Sequence, residues 1–204
     1  MELITQTMPG YRIYEYLLVL SPHEELRNKI MQVKKEFYEQ YKAPHALWGR
    51  PEVTLVKFMQ VEMLEERIVN RLKTIAMGHH PIKIELKDFG SFPSHTIYIN
   101  VKTKEPIRQL VREIKDVQRL MKYNKDNKPH FIDEPHLTIS CKLLPWQYEK
   151  GWLEYSNLRF TGRFIADAML MLKRRQGEKA WQIAHRFELM NLPVTTRQGS
   201  FGFS

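Results

Sequence analysis

Cysteine is nearly missing from this chain of 204 residues: there is one, Cys141. That excludes an intrachain disulfide framework and a cysteine-based zinc cluster. Long apolar runs are missing too. No stretch approaches the roughly 18 residues a membrane span needs, so no membrane association is expected. Met1 to Tyr11 lacks the basic-then-apolar layout of a secretory signal, and a cytoplasmic protein is expected. Acidic side chains are the minority, 23 Asp and Glu against 32 Lys and Arg, which gives a net charge of +9. Such an excess favours anionic partners: nucleotides, RNA or phosphorylated metabolites.

Against these absences stands enough apolar material for a core. Hydrophobic residues make up 43% of the chain and aromatics 11%, which argues against disorder. The length fits one large domain or two small lobes sharing a core. Tyr11 to Leu20 reads as a strand. Ser21-Pro22 is expected to cap a helix from Pro22 to Tyr41, on the spacing of Leu26, Ile30, Val33, Phe37 and Tyr41. Lys42 to Arg50 reads as a loop, Glu52 to Met59 as a strand and Glu62 to Met77 as a helix broken by Gly78-His79-His80-Pro81. Ile82, Ile84 and Leu86 alternate with charged residues as in a half-buried strand. Asp88 to Ser94 is expected as a turn into a second strand, His95 to Val101. Pro106 to Met121 reads as one helix, Tyr123 to Asp133 as a loop, Pro135 to Leu143 as a strand and Trp146 to Tyr155 as a short helix or aromatic connection. Arg163 to Lys173 and Lys179 to Met190 are expected as two strands joined by a turn at Arg174 to Glu178. The tail, 191–204, either drapes over the body or is mobile.

One stretch carries chemistry. In Glu134-Pro135-His136-Leu137-Thr138-Ile139-Ser140, strand alternation puts His136, Thr138 and Ser140 on one face and Leu137, Ile139 and Cys141 on the other. A proton-transfer group beside a hydroxyl donor suits a phosphate oxygen. Alone the pattern is weak, but it has an echo: Pro51-Glu52-Val53-Thr54-Leu55-Val56 repeats it position by position, with Glu52 where His would stand. Each copy follows a helix and precedes a two-stranded element. This internal duplication points to an α+β fold: two pseudo-symmetric lobes, each a mainly antiparallel sheet with outer helices, flanking a central cleft. Residues 1–204 are expected to form a single bilobal domain whose motif strands, 52–59 and 135–143, face each other across that cleft.

At this point the chain resembles the two-histidine (2H) phosphoesterase superfamily, the LigT-like group of 2′-5′ RNA ligase-like proteins and cyclic phosphodiesterases. Its signature is two copies of His-x-Thr/Ser-apolar, here His136-Leu137-Thr138-Ile139 and Glu52-Val53-Thr54-Leu55. The flanks Gly49-Arg50-Pro51 and Leu55-Val56-Lys57-Phe58, and the later Ala168 to Leu172 and Arg186-Phe187-Glu188-Leu189, are similar as well. The likeness runs from about Arg12 to Leu189.

The resemblance implies catalysis on a 2′,3′-cyclic phosphate or a 2′-5′ phosphodiester of RNA or nucleotides. One His serves as base and the other as acid, and two hydroxyls hold the phosphate, with no metal or other cofactor. Carried over, His136 is the acid or base, Thr54 and Thr138 bind the phosphate, Arg50 reaches it and Glu52 is a substituted base. RNA or a nucleotide phosphate is the expected partner; no protein partner is inferred. A carboxyl with an ordinary pKa of about 4.3 accepts a proton at pH 7 but donates one only if burial raises it. It also repels a phosphate, by about 1 kcal/mol at about 4 Å in water. Three outcomes stay open: an altered reaction, a protonated Glu52 that accepts another ligand, or a catalytically inactive RNA- or nucleotide-binding member of the same fold. His45 and His130, in the loops before the two motifs, are candidates to replace the missing His. Tyr123, Trp146, Tyr148 and Trp152 are candidates for base stacking, and Arg163, Lys173, Arg174 and Arg175 for RNA contacts.

Overall fold

A computed structural model describes residues 10–192. Its strands are β1 (Ile13–Leu20), β2 (Val53–Val61), β3 (Ile82–Phe92), β4 (Thr96–Val101), β5 (His130–Phe131), β6 (His136–Ser140), β7 (Thr161–Ala166), β8 (Ala168–Arg175) and β9 (Gln182–Glu188). Its helices are α1 (Glu24–Tyr41), α2 (Glu65–Gly78), α3 (Glu105–Ile114), α4 (Gln118–Met121) and α5 (Pro145–Tyr155). All strand pairings are antiparallel. They form two sheets, β5-β2-β1-β8-β9 and β6-β4-β3-β7. The fold is α+β and two-lobed, with one motif strand in each sheet. No helix of the described residues is long and apolar enough to cross a membrane.

The two sheets are not the two halves of the sequence. The hairpin β3–β4 follows the first motif strand but joins the sheet of the second; β8 and β9 follow the second motif but join β1 and β2. The helices cross over as well: α1 packs on β6 and β7 and α5 on β4, while α2 lies against β9 and α3 and α4 against β2. Buried side chains from both sheets and the helices join in a single apolar cluster.

Several boundaries differ from those expected, each for a local reason. Arg163 to Lys173 is not one strand, because the chain passes between sheets at the exposed Asp167. In β7, Phe164 and Ala166 are buried between exposed Arg163 and Ile165. Central strand β8 is covered on both faces, so its apolar run continues without alternation. The helix expected over Pro106 to Met121 is broken by a 3-10 turn at Lys115–Val117, which keeps Ile114, Val117 and Met121 all buried. The loop before the second motif contains β5, where His130 and Phe131 pair with Lys57 and Val56 along the edge of β2. Helix α1 begins after His23, with no side-chain cap from Ser21; Glu24 and Glu25 in its first turn complement the helix dipole. Asn191 and Leu192 donate their N–H groups to the carbonyls of His79 and Met77, at 2.9 and 2.7 Å. The rest of the expected tail, 193–204, lies outside the described residues.

The turn expected at Asp88 is instead an irregularity within β3. The register shifts between Leu86 and Phe89, and Asp88 takes a left-handed φ of 55°, which Asp tolerates better than most residues. Its N–H donates to the Phe160 carbonyl at 2.7 Å, while its carboxylate accepts from the Phe160 N–H and from Arg159. Gly90, read as a turn residue, serves close packing. A Cβ there would stand 2.6 Å from both the Tyr98 ring and the Asn100 side-chain oxygen. Gly90→Ala is therefore expected to cost about 1–3 kcal/mol as an overpacking change, measured by urea unfolding. A cost under about 0.5 kcal/mol would show that Tyr98 and Asn100 move aside freely.

Candidate functional site

Both motif strands slip in register at the same point. Across β1–β2, Leu18 faces Val56 and Val19 faces Thr54, leaving Leu55 over. Across β4–β6, Ile97 faces Ser140 and Tyr98 faces Thr138, leaving Ile139 over. Leu55 and Ile139 follow the two threonines at equivalent positions, so the duplication extends to backbone irregularity. Such slips kink a strand and re-aim its side chains, which makes them common beside binding sites. Here they leave Leu55 and Ile139 fully buried.

The expectation for Cys141 fails for the same reason. With Ile139 as an extra residue, alternation does not carry through the end of β6. Ser140 is fully buried, with no hydrogen-bond partner for its Oγ among the described residues. Cys141 is half-buried and lines the cavity that Thr138 lines.

That cavity has a volume of about 750 Å³ and brings together four of the five expected site residues: Arg50, Glu52, Thr54 and Thr138. Leu17 and Leu172 contribute apolar wall. The loop before β2 contributes His45 and Trp48; the loop between β8 and β9 contributes Lys179 and Trp181. A second cavity, of about 720 Å³, lies against α2 and the 115–120 segment and holds none of the motif residues.

His136, the fifth, does not line the larger cavity. It stands two residues along β6 from Thr138, in a small recess with Phe92, Tyr98 and Glu134. Its ring packs 5.0 Å from the rings of both Phe92 and Tyr98. The Nδ1–H donates to the Glu134 carbonyl at 2.7 Å, which leaves Nε2 as the acceptor in the neutral ring. Glu134 is itself clamped by Lys104, at 2.8 Å, and by Arg108. A backbone carbonyl fixed in this way fixes the tautomer and orientation of the imidazole.

The electrostatics set Glu52 and His136 apart. Burial pushes the Glu52 carboxyl up to about 7, against the opposing pull of Arg50, Arg27 and Lys34. Burial lowers the His136 imidazole below its ordinary value, outweighing its hydrogen bond to the Glu134 carbonyl. Near neutral pH the carboxyl therefore retains much of its proton while the imidazole is largely free of one. Of the outcomes left open by the sequence, burial of Glu52 favours those in which its carboxyl keeps a proton near neutral pH.

His45 joins the cavity wall, its ring centred 4.1 Å from that of Trp48, whereas His130 is held in β5. None of Tyr123, Trp146, Tyr148 and Trp152 lines the cavity; its aromatic surfaces are Trp48 and Trp181, the latter covered on one face by the Arg174 guanidinium at 4.5 Å. Arg163, Lys173 and Arg174 face the carboxylates of Glu85, Glu65 and Glu15. No group of three His, Cys, Asp or Glu side chains suited to a metal ion occurs among the described residues.

Two cations near Glu52 were not anticipated. Arg27 and Lys34 lie two turns apart on one face of α1, and both act on the Glu52 carboxyl. Lys34 lines the cavity and is only 3% exposed. The signal was present: Leu26, Ile30, Lys34, Phe37 and Tyr41 make the buried stripe of α1, and a lysine inside such a stripe is the anomaly.

Comparison with known proteins agrees with the two-lobed α+β fold. The model of the 2′-5′ RNA ligase superfamily matches residues 22–178. E. coli LigT complexed with 3′-AMP superposes with a TM-score of 0.58 at 14% identity, covering 87% of this chain and 98% of LigT. TT0787 of Thermus thermophilus gives a TM-score of 0.59 at 15% identity, covering 88% of this chain and 98% of its own. At these identities the likeness establishes the fold. No curated protein sequence matches the chain.

Proposed function

The chain belongs to the 2′-5′ RNA ligase superfamily, and from that premise we propose that it opens a 2′,3′-cyclic phosphate or 2′-5′ phosphodiester of RNA or a nucleotide, with Glu52 in place of the first histidine. The observation that carries the proposal is the gathering of Arg50, Glu52, Thr54 and Thr138 round one cavity, with His136 two residues along β6 from Thr138. The opposed displacement of the two proton affinities, Glu52 upward and His136 downward, supports the assignment of roles. Paired titratable groups driven apart by their surroundings divide into an acid and a base. His136 Nε2 takes the proton of an attacking water while the water oxygen bonds to phosphorus. The phosphorus–oxygen bond to one ribose hydroxyl breaks, and the Glu52 carboxyl gives its proton to that leaving oxygen. Thr54 and Thr138 donate hydroxyls to the nonbridging oxygens and stabilise the charge that builds there. The products are a phosphomonoester and a free hydroxyl. Solvent then resets the pair by protonating Glu52 and deprotonating His136.

The cavity's chemistry supports a nucleotide occupant. Trp48 and Trp181 offer faces for base stacking, and the net charge favours an anion. Solved structures of E. coli LigT contain 3′-AMP, NADP+ and ATP. One observation favours the alternative of a binder without turnover: His136 lies in the recess beside the cavity and not in its wall.

Assay with 2′,3′-cyclic nucleotides and short RNA ending in a cyclic phosphate decides between them. Turnover by the unmodified protein, removed by His136→Ala, is expected. A protein that binds the nucleotide but turns over only after Glu52→His would be a binder.

A further inference from the structure

Lys34 is the most unusual side chain of the cleft. An ammonium has three N–H donors. Lys34 spends two of them on the loop before β2, on the carbonyls of Trp48 at 3.1 Å and Gly49 at 3.3 Å. No acceptor takes the third among the described residues, and the side chain borders the cavity. A buried cation with an unused donor beside an open space is poorly satisfied, since its desolvation is only partly offset. A ligand oxyanion would supply the missing acceptor and the missing charge. Thr54 and Thr138 border the same space with further hydroxyl donors. Glu52 is the carboxyl that acts on Lys34, and once protonated it leaves the cation without a counter-charge.

We propose that Lys34 is an anion-binding residue of this cleft, giving its third N–H to an oxygen of the phosphate that Thr54 and Thr138 hold. The same ammonium anchors the Trp48–Gly49 backbone, so the loop leading to Arg50 and Glu52 is set from the phosphate site itself. The inference rests on the reading of the cleft as a phosphate site.

Burial pushes Lys34 down to about 8, against the influence of Cys141 and Glu52, so its titration is accessible in the folded protein. The other titratable and charged groups of the cavity are Glu52, Cys141, His45, Arg50 and Lys179, with Arg27 on the same helix. By linkage, an anion that prefers the ammonium to the amine raises the titration midpoint of Lys34.

The probe is inorganic phosphate and the readout is NMR of the Lys34 Cε and Nζ signals in the unmodified protein, assigned by their loss in Lys34→Met. Saturating phosphate is expected to raise the midpoint by at least one pH unit. In parallel, Lys34→Met is expected to weaken phosphate binding at least tenfold at pH 7, with the gap narrowing above pH 8 as Lys34 itself loses its proton. Lys34→Arg, charged throughout, is expected to retain affinity across that range. Removing the cation also raises Glu52 further, which by itself favours an anion, so weakened binding cannot come from Glu52. Phosphate that binds, and is weakened by Thr54→Val, without moving the Lys34 midpoint would overturn the role of Lys34 alone. Failure of the unmodified protein to bind phosphate would overturn the phosphate reading of the cleft together with it. The midpoint is read in the unmodified protein, and Lys34→Met serves that measurement only for assignment, a task that Lys34→Arg performs equally.

Discussion

Turnover of a 2′,3′-cyclic nucleotide is expected to reach its maximum below pH 7 and to fall tenfold for each pH unit above it. The acid in the proposed reaction is Glu52, whose proton is lost at about 7. Above that value the protonated fraction falls with the tenfold slope of a single titration. On the acid side the rate falls when His136 becomes protonated, which burial confines to values below its ordinary range. Glu52→Gln keeps the shape of the side chain and removes the transferable proton. It is expected to lower kcat/KM by about 10²–10⁴, the usual contribution of a positioned acid or base, and to remove the limb that begins at about 7, leaving only the fall that sets in at about 8 as Lys34 loses its proton. A rate flat from pH 6 to 9, or undiminished activity of Glu52→Gln, would sink the assignment.

The same substitution is expected to stabilise the fold. A carboxyl whose folded-state pKa is raised contributes stability that is fully present below its unfolded value of 4.5 and is lost as pH rises to about 7. Above 7 the native state holds a buried carboxylate, at a cost of up to about 3 kcal/mol for a shift of this size. Glu52→Gln therefore unfolds like the unmodified protein below pH 4.5 and is more stable by that amount at pH 8, as read from urea midpoints across the range. Loss of activity with gain of stability marks a group retained for chemistry and not for folding.

The architecture of the site was legible in the sequence because it is written twice. The Glu52-Val53-Thr54-Leu55 and His136-Leu137-Thr138-Ile139 copies each fix one strand, and the cavity does bring Thr54 and Thr138 together. What stayed hidden is set by tertiary contact. Hairpin signals in β3–β4 and β8–β9 say that two strands pair, but not which sheet receives them. The extra residues Leu55 and Ile139 become visible only when the register is known, and they decide where Cys141 faces. The proton affinity of Glu52 depends on burial by distant segments, which no local pattern encodes. Lys34 is an intermediate case. Val33 does pack against the core from α1, as its spacing implies, but the fully buried stripe runs one residue further on, through Lys34.

Phe37→Ala is expected to be the most damaging single truncation to the frame that holds this site, at about 3–5 kcal/mol, the usual cost of emptying an aromatic from a core. Phe37 is fully buried on the same stripe as Lys34. Its ring lies 4.7 Å from that of Tyr41 and meets Tyr155 of α5 edge-on at 5.1 Å. Gly151 of α5 makes room for it, since a Cβ there would come within 3.1 Å of the ring. Tyr41 reaches the same helix through a hydrogen bond from its hydroxyl to Glu154 at 2.7 Å. These contacts clamp α1 to α5, and α1 in turn presents Lys34 to the Trp48 and Gly49 carbonyls. The cost is to be read as a lowered urea midpoint at unchanged m-value, with Phe37→Leu losing markedly less. Phosphate affinity of Phe37→Ala, measured where the variant is still fully folded, is expected to fall as well, because Lys34 depends on the seating of its helix. A loss of less than about 1 kcal/mol would show that Tyr41 and Tyr155 close over the vacated space and that α1 is held by its other contacts.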